Sequence, residues 1–356
     1  MPITWSPHAT ALDFDPDHER ENDPGTALAR LSDACQQLEG LAGTGLIGPR
    51  HYHRLVSIVH HLCDALTHCE AAGVPDADIR AMVTSARDIH GASPFVTRLQ
   101  QWPRGYPGDF ETIEWLCRGE NRAPAGTLAH AIESYALNSP ISQQHRNKVS
   151  FQAACMLQAF AGPRPCRILS IGCGSSPDLR AVIDQVPASA TVVLCDSDPD
   201  ALAFSRVKLE PIADRCRFVY GMVPRVLRRV RDEGPFDLIL AGGLFDYLSD
   251  RFIARTLSDA QAMLAPAGRI VFTNIARGNP FKVWIEYMGD WTLIERSEDD
   301  LARICERAGV PAPVLVRDAT SLAIVATVTA PADASHRETR DASPTAWAAG
   351  DVVATQ

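Results

Sequence analysis

The pattern of apolar and polar positions changes character once, near residue 163. Before it, apolar residues recur at helical spacing, first as Leu28, Leu31, Cys35 and Leu38, then as Leu55, Ile58, Leu62 and Leu66. Strand-like alternation is scarce in this half. Residues 102–108 (WPRGYPG) interrupt the helices with prolines and glycines, and a second helical group follows, ending at 150–160. After residue 163, short apolar runs at 167–171, 191–195, 216–220, 236–241 and 269–274 alternate with helical patterns at 178–186, 199–212, 224–231 and 249–264. In the last of these, Ile253, Leu257, Ala260 and Leu264 share one face. Such alternation predicts a parallel sheet covered by helices on both sides. A helix-start signature at Ser297 is followed by two more runs, at 314–316 and 322–328. The gap between them is too short for a helical crossover, so the final strands are expected to pair antiparallel. Residues 1–24 read as a flexible arm and 331–356 as a disordered tail. The expected organisation is therefore an all-α N-terminal domain over 25–162 and an α/β domain over 163–330.

Composition narrows the function. Of 356 residues, 46% are hydrophobic and 22% charged, an ordinary globular balance. Forty-three acidic residues against 34 basic ones give a net charge of −9, which argues against a general nucleic-acid binder. The cysteines form no CxxC pair and fit reduced thiols. The N-terminus has no signal-peptide pattern, and no apolar run is long enough to span a membrane, so a cytoplasmic protein is expected.

The first apolar run of the second half leads straight into Gly172-Cys173-Gly174-Ser175-Ser176-Pro177. Glycines there permit a tight turn and close approach of a ligand to the backbone. The second run ends at Asp196, about 20 residues on, where an acid can accept both hydroxyls of a ribose. Ser197 lies beside it, and Gly221 and Met222 follow the third run, where an adenine would sit. A dinucleotide fingerprint would need a third glycine, and Pro177 stands in that position. S-adenosylmethionine (SAM) has no phosphates and needs only the first two glycines and the acid, so SAM is the expected co-substrate.

On these residues, 165–330 resemble the class I SAM-dependent methyltransferases, which implies a seven-stranded Rossmann-like core with an antiparallel last strand. The acid that often precedes the glycine loop is Ser170 here. Its usual role near the methionine amino group must therefore pass to another residue or to backbone. Three further segments narrow the resemblance: Arg104 to Glu114 (RGYPGDFETIE), Ser139 to Asn147 (SPISQQHRN), and Asn279-Pro280 with Glu286 to Arg296 (EYMGDWTLIER). They are similar to a bacterial group with a helical N-terminal domain. Its members are labelled for biosynthesis of 3-hydroxypalmitic acid methyl ester, or methylate nitrogen in amino-acid-derived metabolites, arginine guanidine included.

Methyl transfer requires a nucleophile held in line and freed of its proton. Candidate catalytic residues are Tyr106 and Asp109 in the RGYPGD segment, Asp246 and Tyr247 after the fourth apolar run, and Glu286 with Asp290. The last two are four residues apart, hence on one helix face, where they would suit a guanidinium or ammonium. Gly242 and Gly243 would let the methionine half approach the backbone, and Arg146 is a candidate for a carboxylate. The cluster His51, His53, His60, His61 and His68 lacks a metal-ligand spacing, and no metal is expected. The expected reaction is methylation of a small-molecule nitrogen. The alternatives are a carboxyl O-methyltransferase making a 3-hydroxy fatty-acid methyl ester and a non-catalytic SAM-binding regulator.

Overall fold

The computed structural model describes residues 23–44 and 48–332. The expected arm and tail lie outside these residues, apart from 23–24 and 331–332. The N-terminal half is helical: α1 (Pro24–Ala42), α2 (Pro49–Ala71), α3 (Asp76–Met82), α4 (Thr84–His90), α5 (Pro94–Gln101), α6 (Phe110–Arg118), α7 (Leu128–Asn138) and α8 (Pro140–Phe160). Side-chain caps decide several of the starts. Asp23 accepts from the N–H of Thr26, Ser93 from Val96, Asp109 from Glu111 and Thr112, and Thr127 from His130. Proline at the first turn of α1, α2, α5 and α8 costs no helical hydrogen bond.

The second half alternates: β1 (Arg167–Ile171), α9 (Pro177–Ala181), β2 (Thr191–Asp196), α10 (Pro199–Lys208), β3 (Cys216–Tyr220), α11 (Val223–Val230), β4 (Phe236–Ala241), α12 (Asp250–Gln261), β5 (Leu264–Ile275), α13 (Lys282–Gly289), α14 (Glu298–Ala308), β6 (Val314–Arg317) and β7 (Ala323–Thr329). The seven strands lie in the order β3-β2-β1-β4-β5-β7-β6. The first five are parallel, and β7 runs antiparallel between β5 and β6. The strand order reverses between β1 and β4, so a crevice opens above their carboxyl ends.

Two departures from the sequence reading have local causes. The helix expected over 199–212 stops at Lys208 and gives way to a 3₁₀ turn, Glu210–Arg215, because Pro211 disfavours a helical residue before it and donates no N–H. The strand expected at 269–274 begins at Leu264. Its pairing with β4 shifts register between Phe236 and Leu238, and a side chain on Gly268 would come within 2.8 Å of the Phe236 carbonyl.

The two halves share one core. Ile275 at the end of β5, and Phe281, Trp284, Tyr287, Met288, Trp291 and Leu293 between β5 and α14, are buried among the apolar residues of α1, α2, α5 and α7. Helix α13 thus belongs to the helical layer, which closes over the carboxyl edge of the sheet. The two faces of the sheet bury separate clusters around Leu169, Ile239 and Phe272 on one side and Ile168, Leu194 and Leu240 on the other.

Candidate active site

The loop after β1 is held by backbone bonds to β2. The N–H groups of Gly172 and Cys173 donate to the Cys195 carbonyl at 2.8 and 3.0 Å, and that of Gly174 donates to Asp196 Oδ2 at 2.7 Å. Gly172 and Gly174 have φ of +65° and +53°, a region that disfavours a side chain. Asp196 also accepts from the N–H of Asp198 at 2.9 Å. Burial pushes its carboxyl up, against these N–H groups, which hold it down. Gly221 closes the turn after β3 by donating to the Asp196 carbonyl at 2.9 Å.

Above β4 the chain turns through Gly242 and Gly243. A Cβ on Gly242 would lie 2.2 Å from Gln152 Oε1 of α8, so the amide packs directly on backbone. Beyond the turn, Asp246 is 2% exposed. Its Oδ2 accepts from Lys148 Nζ at 3.0 Å and its Oδ1 from the Ile275 N–H at 2.6 Å. The Tyr247 hydroxyl accepts from the Trp291 indole N–H at 2.8 Å, and burial pushes its phenol up. The His145 ring stacks on Trp291 at 5.3 Å between centroids. Burial, then the charges of Lys148 and Arg146, hold this imidazole neutral well below its ordinary range.

A strap between α5 and α6 roofs the crevice. Arg104 clasps Asp198 through two bonds of 2.9 Å, and Tyr106 donates its hydroxyl to Asp198 at 2.7 Å. Burial pushes the Asp198 carboxyl up, but the bonds from Arg104, from Tyr106 and from the N–H groups of Asp200 and Ala201 outweigh it and hold it at about 2. Next to the glycine loop, Asp178 is 5% exposed and accepts from the Leu179 N–H at 2.9 Å. Burial raises its carboxyl to about 6.

These groups enclose a cavity of about 540 Å³. Of the residues expected from sequence, Tyr106, Gly172, Cys173, Gly174, Asp196, Ser197, Gly221, Met222, Gly242, Gly243, Asp246 and Tyr247 line it. Four do not. Asp109 is turned into the protein, capping α6 and paired with Arg98 at 2.6 Å. Arg146 points across the helical layer and donates to the carbonyls of Leu116 and Leu137 at 2.8 and 3.0 Å. Glu286 pairs with Lys282 at 2.8 Å. Asp290 ends α13 in a left-handed conformation and pairs with Arg87. The two carboxylates therefore form no cation site on the cavity. The histidine-rich stretch lies on α2, away from it, with the His60 ring against Tyr135 and Phe281. His145, Lys148, Gln152 and Asp178 line the cavity without having been singled out. The first three, with Val149, follow the i, i+3, i+4, i+7 spacing of one helix face, the signal that would have found them.

The residues present fit SAM: a ribose acid at the end of β2, positive-φ glycines beneath the methionine half, an open turn after β3, and a crevice at the switch point. The fold and the site define a class I SAM-dependent methyltransferase domain. Residues 168–268 match the family model described as a methyltransferase domain. A stretch of 140 residues is 26% identical to an arsenite methyltransferase of Aquipseudomonas alcaligenes, covering 38% of this chain and 40% of that one. The chain thus spans under half the length of this curated relative. A solved structure, described as a possible exported protein from Bordetella parapertussis, superposes with a TM-score of 0.53 at 14% identity, covering 89% of this chain and 99% of that one. That likeness takes in the helical layer as well as the sheet. Among the described residues no helix is long and apolar enough to cross a membrane.

Proposed function

We propose that the chain transfers the methyl group of SAM to an oxygen of a small molecule that binds as its anion, a carboxylate or an acidic hydroxyl. The observation that carries this is Lys148. Among the described residues it is the only lysine or arginine lining the cavity. One of its three donors is committed, to Asp246, and the others favour an oxygen bearing negative charge. Among the described residues at this end, His145 is a weak base because burial and two cations lower its imidazole, and both Asp246 oxygens already accept, from Lys148 and from the Ile275 N–H. An acceptor that arrives deprotonated needs no base. SAM brings an already activated methyl group, and the chain's task is to align donor and acceptor beneath the strap and exclude water.

The nitrogen acceptor expected from sequence, arginine guanidine among the candidates, depended on Glu286 and Asp290. With both outside the cavity, a cation would face Lys148. Arsenite, the acceptor in the name of the curated relative, would call for thiolates. The cavity's Cys173 and Cys195 are instead pushed well above the ordinary thiol range by burial.

The test is S-adenosylhomocysteine (SAH) release with two panels, 3-hydroxy fatty acids and other carboxylic acids in one, amino acids and amines including arginine in the other. Turnover on the first is expected, and turnover confined to the second overturns the reading. Lys148→Gln should lower kcat/KM for the acceptor roughly 100-fold with SAH affinity nearly unchanged. A parallel loss of SAH affinity would assign Lys148 to the donor instead.

A further inference from the structure

Three carboxylates line the cavity: Asp178, Asp196 and Asp246. Two are accounted for. Asp246 gives one oxygen to Lys148 and the other to the Ile275 N–H. Asp196 receives the N–H groups of Gly174 and Asp198 at the ribose end. Asp178 differs from both. Its side chain accepts the N–H of Leu179 on Oδ1, and among the described residues no side chain bonds or ion-pairs with it. The neighbouring Arg180 commits its guanidinium to Glu114 and to the Ser175 carbonyl. Arg180 acts on Asp178 only through space and does not offset its burial, so a carboxylate that is 5% exposed and faces a cavity keeps a desolvation cost that a ligand cation would relieve.

We propose that Asp178 receives the amino group of the methionine half of SAM, the role that Ser170 cannot fill as an anion. This assignment rests on the donor reading of the cavity and extends it to a residue of α9. SAM carries positive charge at two places. The sulfonium has no hydrogen to donate, whereas the ammonium has three and requires acceptors. Asp178 stands in the first turn of α9, four residues after Gly174, and lines the cavity with the glycine loop. Ser170, buried at the end of β1 and lining the same cavity, offers a hydroxyl to the same group. The remaining source of an ammonium would be the acceptor, and binding without acceptor separates the two.

The experiment compares two ligands on the full chain by isothermal titration. SAH carries the amino-acid half and 5′-methylthioadenosine lacks it. Asp178→Asn keeps an acceptor for the Leu179 N–H, so the start of α9 is preserved. The expected result is a loss of SAH affinity of about tenfold or more with 5′-methylthioadenosine affinity unchanged. Unchanged SAH affinity overturns the proposal, since the ammonium then belongs to the acceptor or to none. An equal loss for both ligands also overturns it, since Asp178 would then only support the loop. Failure of the unaltered chain to bind either ligand overturns the donor reading itself, and this assignment with it.

Discussion

At the scale of single residues, the contact between Gly242 and Gln152 is the most sharply constrained. A methyl group at Gly242 would overlap the amide, with its Oε1, Nε2 and Cδ all within 2.5 Å. The amide is tethered to its own helix by donation to the Lys148 carbonyl at 3.2 Å. Gly242→Ala should therefore displace the amide, which lines the cavity, and on the proposed donor reading weaken SAH binding about tenfold, an overpacking effect of ordinary size. Titration of SAH into a variant whose melting curve stays cooperative checks this. The opposite outcome is expected at Glu286 and Asp290. Their ion pairs lie away from the cavity, so Glu286→Gln and Asp290→Asn should leave turnover within roughly twofold and cost about 1 kcal/mol of stability at most. The glycine loop and Asp196 were legible because their signal is local: a turn, a spacing and a strand end. Lys148 and Asp178 were not, because their significance depends on what faces them. Asp246 lies 98 residues from Lys148, and that Asp178 has only the Leu179 N–H as a hydrogen-bond partner among the described residues is something no sequence window displays.

At the scale of elements, the strap is bound to the sheet domain by polar contacts centred on one residue. Arg104 and Tyr106 converge on Asp198, and Arg104 reaches Asp200 as well, at 2.6 Å. Asp198 also caps α10, while its N–H donates to Asp196, so the strap and the carboxylate proposed for the ribose hang on the same turn. Gly105 and Tyr106 are exposed and also line the cavity, which places this segment at its edge. Tyr106→Phe and Arg104→Met leave the α10 cap intact and remove the latch. Both should speed SAH dissociation, by about tenfold where a bond to the charged carboxylate is lost. Stopped-flow tryptophan fluorescence would read the rate, and unchanged dissociation would mean the strap is a fixed wall. The break at 102–108 was plain from its prolines and glycines, whereas Asp109, expected in the catalytic machinery, caps the helix that follows. That Arg104 spans to α10 was not foreseen, since a charged residue in a polar loop carries no mark of its partner.

At the scale of the whole molecule, the helical layer and the sheet domain are joined through α13, and His90 sits at that joint. It is fully buried. Its Nδ1–H donates to the Ala86 carbonyl at 2.8 Å, and its Nε2 accepts the Trp284 indole N–H at 3.2 Å. Both nitrogens are used in the neutral tautomer, and a second proton would break the bond to α13. Burial accordingly lowers this imidazole to about 4 from 6.5. The unfolded chain takes up that proton as pH falls below 6.5, while the folded chain resists it down to about 4. The stability contributed by neutral His90 is thus complete above 6.5 and lost across that window, on the order of 3 kcal/mol. His145, lowered by burial and by two cations, acts in the same sense. Asp178 opposes them between about 4 and 6, since its raised carboxyl holds a proton in the folded state that the unfolded chain releases. Asp196, Glu286 and Glu295, also raised by burial, act in the same sense as Asp178, so the His90 contribution is read as a difference between the unaltered chain and a His90 variant. The melting temperature of His90→Gln, relative to that of the unaltered chain, should rise by several degrees from pH 7 to pH 5, since the variant has no imidazole at this joint to protonate on unfolding. A difference between the two chains that does not change with pH would mean that the neutral His90 bond to Trp284 contributes nothing to anchoring α13.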